Sequence, residues 1–133
     1  MKDKYYYSDG STLDHHDPEK TFHRTDGPAV ELASGYKYWY LQGRYHRTDG
    51  PAYESAHGSK EWYLHGQKHR TDGPAIELAD GDKYWYLHDH LHRTDGPAIE
   101  YASGNKEWYL HDEKIKCDSQ EMFERLCKLK VFW

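Results

Sequence analysis

An all-β chain of tandem β-hairpins, arranged as an antiparallel meander and closed by a short C-terminal α-helix, is the fold class that the sequence predicts. Three observations carry it. The heptad His-Arg-Thr-Asp-Gly-Pro-Ala begins at His23, His46, His69 and His92, 23 residues apart each time. Every copy then passes through a Glu (Glu31, Glu54, Glu77, Glu100), a Gly (Gly35, Gly58, Gly81, Gly104), a Lys (Lys37, Lys60, Lys83, Lys106) and Trp-Tyr-Leu. No 3.6-residue apolar period runs through these copies, and Gly or Pro recurs too often for helices. The expected organisation is a degenerate N-terminal cap (1–22), four repeats (23–45, 46–68, 69–91, 92–114) and a capping helix with tail (115–133).

In chain order, Tyr5-Tyr6-Tyr7-Ser8-Asp9-Gly10 reads as the first strand and turn of a degraded copy, with Gly10 aligned on Gly35. The stretch 14–20 breaks the pattern and is expected to be irregular. Within the repeats, strands are expected near 28–32 and 36–41 and at every 23-residue step after them. In the third copy, Ala75–Leu78 and Asp82–Leu87 are rich in β-branched and aromatic residues, with Ala79-Asp80-Gly81 between them. A type I turn with Gly81 as a bulge sets Glu77 opposite Lys83, pairing opposite charges across every hairpin; a two-residue loop would break that pairing. Ile76, Leu78, Tyr84 and Tyr86 then share one face, and Glu77, Lys83, Trp85 and Leu87 the other. Neither face is purely polar, as expected of a sheet without a full second layer.

The connection from His65 to Pro74 reads as a longer loop, with Gly66 and Asp72-Gly73-Pro74 as turn formers and Gly supplying positive φ. This gives two strands per repeat and eight in the repeats. At the C-terminal end, Asp118-Ser119-Gln120-Glu121 has capping-box spacing, and Met122, Phe123, Leu126, Cys127 and Leu129 recur at helical intervals. That helix, near 119–129, with Val131-Phe132-Trp133 after it, is expected to cover the last hairpin and its open edge.

The composition fits a core of rings. Leu, Ile, Val and Phe number only 18, against 13 Tyr and 5 Trp. The formal net charge of -5 disfavours general nucleic-acid binding, so no DNA partner is expected, and it also disfavours a lipid headgroup surface. Cys117 and Cys127 stand ten apart in no metal-type pairing, so a reduced, cytoplasmic protein is expected. The N-terminus has no apolar signal-like run, and no apolar run spans 18 residues.

The segment Lys60–Gly66 followed by Gln67-Lys68-His69, with Ile76–Gly81 as the second strand, resembles the MORN repeat, most closely the divergent bacterial and phage forms. The resemblance covers residues 23–114 and, weakly, 4–10. It implies an elongated, twisted antiparallel sheet used for protein or lipid-headgroup contacts. The chain departs from that pattern in two places: it has Trp-Tyr-Leu where the family has a Gly inside the aromatic strand, and Arg-Thr-Asp-Gly-Pro where the family has a short Gly-Lys-Gly link.

Several motifs invite catalytic or metal chemistry. His-Arg-Thr-Asp echoes a kinase catalytic loop, but the downstream Asn, the glycine-rich phosphate loop and the strand lysine are missing. His23, His46, His69 and His92 cannot share one zinc: equivalent positions lie about 9–10 Å apart, whereas ligands sit about 2 Å from the ion. His88-Asp89-His90-Leu91-His92 is the better metal candidate, although Asp89 takes the turn position of Gly66; solvated loop histidines are the expectation. No nucleophile–base arrangement stands out. A non-enzymatic chain with no cofactor and no metal is expected.

Two surfaces are candidates for a partner. The loop edge carries Arg24, Arg47, Arg70 and Arg93 beside His23, His46, His69 and His92. Each Arg offers a planar fork for carboxylate or phosphate, or simply pairs with its own turn Asp: Asp26, Asp49, Asp72 or Asp95. The alternative face carries Trp39, Trp62, Trp85 and Trp108 with Lys60 and Lys83; the Trp row is expected to be shared core, with a stacking platform as the alternative. Tyr38, Glu61, Tyr84 and Glu107 alternate at one position, with no account from sequence. The expected function is a scaffold for a protein partner, with homo-oligomerisation open. The alternatives are a phage or bacterial inhibitor, antitoxin or immunity protein that occludes an enzyme, acting in the host cytoplasm if phage-encoded, and a sponge for nucleotides or other phosphate-bearing ligands.

Overall fold

A computed structural model describes residues 2–129 of the chain. Its main sheet has 11 antiparallel strands and grows by two strands per repeat. It begins at Thr12–Leu13 and Lys4–Tyr6, passes through a pair of strands from each repeat, and ends at Lys106–Leu110 and Glu113–Ile115. A helix, α1, follows over Gln120–Leu129.

The Asp-Gly hairpins have the bulged turn that the sequence implies. The Gly81 N–H donates to the Leu78 carbonyl and the Leu78 N–H to the Asp82 carbonyl, both at 2.9 Å, with φ of 104° at Gly81. The register is Ile76 opposite Tyr84 and Glu77 opposite Lys83. On its other side Glu77 faces Lys60, and Lys83 faces Glu100. A row of alternating charge therefore runs across nine of the eleven strands from Lys4 to Lys106, each residue between its ends facing two of opposite sign. Such pairing fixes register, because a slip by one residue moves every side chain to the other face.

The long connection is a correction. In place of a loop from His65 to Pro74, a second, tight hairpin pairs Tyr63–Leu64 with Gln67–Lys68. Its two-residue turn, His65-Gly66, has φ of 49° and 81°. Two successive positive values make it type I′, the turn whose twist matches that of the strands. Equivalent turns lie at Gln42-Gly43, His88-Asp89 and His111-Asp112. The aromatic strand of each of the first three repeats is thereby divided at its Trp. Trp62 N–H donates to the Ala75 carbonyl of the main sheet, and its own carbonyl accepts from His69 in the tight hairpin. The first three tight hairpins form separate two-stranded sheets, and the fourth merges into the strands Lys106–Leu110 and Glu113–Ile115. Two strands per repeat therefore becomes four short ones in the first three.

The N-terminal cap is a second correction. Lys4 and Tyr5 face Glu31 and Val30 on the side opposite Lys37 and Tyr38, as Lys60 and Glu61 face Glu77 and Ile76. Residues 4–7 are thus the aromatic strand of a preceding copy, and Gly10 matches Gly43 rather than Gly35. The capping frame also shifts. Ser119 Oγ accepts the Met122 N–H at 3.1 Å, so Ser119 caps α1 and Met122 stands where a capping box has its acid. The expectation for Val131-Phe132-Trp133 lies outside the described residues.

Burial is concentrated at small residues and at one end. Ala29, Ala52, Ala75 and Ala98 are fully buried. Trp108, Leu110, Ile115 and Phe123 form the apolar cluster beneath α1, with Cys117, Leu126 and Cys127 against it. On the opposite face the tyrosines stack: Phe22, Tyr40, Tyr45 and Tyr63 follow one another at 5.2, 4.6 and 4.7 Å between ring centroids.

The 46-residue alternation falls on this face. Tyr38 stacks on Tyr45 across the first tight hairpin, at 6.3 Å. In the fourth copy the same two places hold Glu107 and Lys114, whose charges lie 3.7 Å apart. The corresponding positions hold Glu61 and Lys68, of which Glu61 accepts the Tyr63 hydroxyl and Lys68 lies over the Tyr86 ring, and Tyr84 and Leu91. Two apolar residues alternate with two opposite charges, so the positions change together.

Candidate functional site

Each His-Arg-Thr-Asp-Gly-Pro loop is folded around its own arginine. Arg Nε donates to Oδ1 of the Asp two residues on, at 2.8–2.9 Å, in all four copies. Nη1 donates to the carbonyl of the following Pro at 3.0–3.1 Å and lies 2.8–3.9 Å from the strand Glu. The guanidinium covers an aromatic ring, with Cζ 3.8–3.9 Å from the ring centre: Arg24 on Tyr6, Arg47 on Trp39, Arg70 on Trp62 and Arg93 on Trp85. These four side chains are only 20–23% exposed. The arginine row is therefore the inner clamp of the loop edge rather than a comb of free cations.

The clamp explains the invariant glycine. Gly27, Gly50, Gly73 and Gly96 do not have the positive φ that the Asp-Gly-Pro sequence suggested. A Cβ at these positions would lie 2.5–2.9 Å from Arg Cζ. Glycine is there because the guanidinium lies on the backbone.

The turn aspartates stand outside the clamp. Their side chains are 83–84% exposed, and the hydrogen bond from Arg holds the carboxyls of Asp26, Asp49, Asp72 and Asp95 below the usual range.

The loop histidines also have a fixed task. Nδ1 of His23, His46, His69 and His92 accepts the backbone N–H of Gln42, His65, His88 and His111, at 2.9–3.1 Å. Each donor is the first residue of a type I′ turn, where a side chain at positive φ costs about 1–2 kcal/mol, and the ring bond offsets part of that. A nitrogen that accepts cannot carry a proton, so the neutral ring holds its proton on Nε2. The rings of His65, His88 and His111 lie tilted against those of their partners, with centroids 4.4 Å apart. Burial, then the neighbouring ring, lowers the pKa of His46, His69 and His92. In the 88–92 stretch, His90 Nδ1 lies 2.5 Å from Asp112 Oδ2. Among the described residues, no three His, Cys, Asp or Glu side chains gather where a metal ion could sit.

Between successive loops lie grooves floored by the next Trp and Leu. The first, over Trp39 and Leu41, has a volume of about 460 Å³. The second, over Trp62 and Leu64, has about 660 Å³, and the third, over Trp85 and Leu87, about 490 Å³. All three floors are half-buried. The grooves unite the two surfaces that the sequence left as alternatives, because Arg, His and Trp line the same clefts. Lys60 and Lys83 stand exposed in the charged row of the sheet.

The fourth groove differs. Its loops are residues 93–96 and Ile115-Lys116-Cys117-Asp118, which falls 23 residues after His92-Arg93-Thr94-Asp95. Gln120 of α1 enters it. Trp108 Nε1–H donates to Gln120 Oε1 at 2.7 Å, and Gln120 Nε2–H donates to the Thr94 carbonyl at 3.3 Å. Trp108 is only 4% exposed and Leu110 8%. About 400 Å³ remains beside Ser119 and Gln120. Sequence reading missed Gln120, although the degenerate fifth heptad at the correct spacing marks the place.

The chain matches no family model, no curated protein and no solved structure. No helix among the described residues is long and apolar enough to cross a membrane.

Proposed function

We propose that the chain is a non-catalytic scaffold that holds a protein partner along its three open grooves. The observation that carries this reading is the recurrence of one cleft at the repeat pitch, each copy with a half-exposed Trp and Leu between two rigid loops. An apolar floor within a polar rim is the usual anatomy of a protein interface. The groups that could do chemistry hold the loops instead: each Arg is tied to its Asp, and each loop His accepts an amide. The same arginine geometry weighs against a phosphate sponge, since Nε and Nη1 are already engaged. Membership of the MORN-type repeats is part of this proposal and accords with a surface used for protein contacts.

Site-specific photo-crosslinking tests the reading. A benzophenone side chain at the exposed Thr48 should trap the partner in cells of the native source. The same group at Tyr53, on the tyrosine face, should not. Adducts from Tyr53 alone would overturn the assignment.

A further inference from the structure

The fourth groove is occupied by the chain itself, and what fills it indicates what fits the others. Gln120 answers one side-chain and one backbone group at once: its carboxamide oxygen takes the Trp108 indole N–H, and its nitrogen donates to the Thr94 carbonyl. Three residues on, Phe123 packs in the cluster of Trp108, Leu110 and Ile115 and is 1% exposed.

The open grooves repeat both groups without an answer. Among the described residues, the indole N–H groups of Trp39, Trp62 and Trp85 meet no acceptor, and the carbonyls of Thr25, Thr48 and Thr71 meet no donor. None of these indole nitrogens is cut off from water. One donor and one acceptor of the kinds that Gln120 bridges in the fourth groove call for a group that both accepts and donates, and a primary amide does so without charge. A carboxylate supplies no donor, and it would meet the exposed Asp49 and Asp72 at the rim of the second groove. Those same aspartates favour the positive end of a helix dipole.

We infer that each open groove binds the first turn of an amphipathic helix from the partner, with a Gln or Asn on the Trp indole and an apolar residue three positions on. This rests on the scaffold reading above and names the chemistry of the partner. Spacing permits all three grooves to be filled together. Two strands per repeat give a pitch of about 9–10 Å, and packed helices lie about 8–10 Å apart.

The test uses the full chain, labelled with nitrogen-15, and a synthetic peptide of residues 117–129, acetylated and amidated. Titration should move the indole N–H resonances of Trp39, Trp62 and Trp85 saturably and leave that of Trp108 in place. The same peptide carrying Gln120→Ala should bind about tenfold more weakly, the net worth of roughly two hydrogen bonds at the lower end of their usual range. Absence of shifts at the three indoles, or equal binding by the Ala peptide, overturns the inference. If Thr48 traps a partner and the peptide does not bind, the scaffold stands and the helix-turn inference falls. If the peptide binds and Thr48 traps nothing, the grooves accept a helix turn and the scaffold reading falls.

Discussion

Trp62 and Trp108 occupy the same place in the same 23-residue frame, yet Trp62 is half-exposed and Trp108 is 4% exposed. Arg70 lies over the first ring, with one face of the groove left to water. At the second, Lys116 holds the arginine's position in the 23-residue frame, and Gln120 closes the cleft. The repeat alone builds a rigid but open cleft, and closing it takes a helix turn with an apolar residue behind the amide.

Breaking the closed groove should have the largest effect. Phe123→Ala removes the one large side chain that is fully buried among the described residues. The expected loss is about 3–5 kcal/mol in urea unfolding, with a red shift in Trp emission as Trp108 meets water. A loss below about 1 kcal/mol would mean that α1 is not a true lid.

The clamp shared by the open grooves comes next. Gly50→Ala sets a Cβ 2.8 Å from Arg47 Cζ and should cost about 1–3 kcal/mol, as overpacking does. Adding Arg47→Ala should cost less than the two single losses summed, because the clash disappears with the guanidinium. Gly58→Ala is the contrast. Its position has φ of 100° and open space around it, so its cost of about 1–2 kcal/mol is backbone strain that Arg47→Ala leaves unchanged. Additivity at Gly50 would contradict the clamp.

Acid should loosen the loops in two stages. The pKa of His46, His69 and His92 is lowered in the folded state, so the unfolded chain binds more protons as pH falls below about 6.5. Stability is therefore full above that pH and declines below it, as protonation of Nδ1 removes the turn amide's acceptor. The loop aspartates are also shifted down, so their contribution persists to lower pH and fades only as pH falls below about 4. A melting temperature that is flat between pH 7.5 and 5 would contradict the histidine assignment.

The smallest effect concerns the tyrosine face. Glu107→Tyr alone leaves Lys114 without its charge partner and should cost about 0.2–1 kcal/mol. Glu107→Tyr with Lys114→Leu reproduces the Tyr84 and Leu91 combination and should recover the part of that loss due to Lys114 in thermal unfolding, while the Tyr109 hydroxyl still lacks its Glu107 acceptor.

What the sequence disclosed follows from where its forces act. The bulged hairpin was legible because Asp80-Gly81 lies between two β-rich runs and the Glu77–Lys83 charges select one register. The tight hairpin was not, because its turns include His88-Asp89 and His111-Asp112, where positive φ is stabilised by a ring 19 residues earlier. The sequence aligns Gly10 with Gly35 instead of Gly43 because Tyr5-Tyr6-Tyr7 lacks the Trp that marks the aromatic strand. The pairing of each Arg with its turn Asp is legible from their closeness in the chain. The ring beneath each Arg was not, since it comes from the previous copy. The grooves escaped notice because they exist only between repeats.

The most direct test of one closed groove beside three open ones is hydrogen exchange at the indole N–H groups. The account predicts fast exchange for Trp39, Trp62 and Trp85 and slow exchange for Trp108, with Gln120→Ala bringing Trp108 close to the other three. Equal rates at all four in the unaltered chain would contradict it.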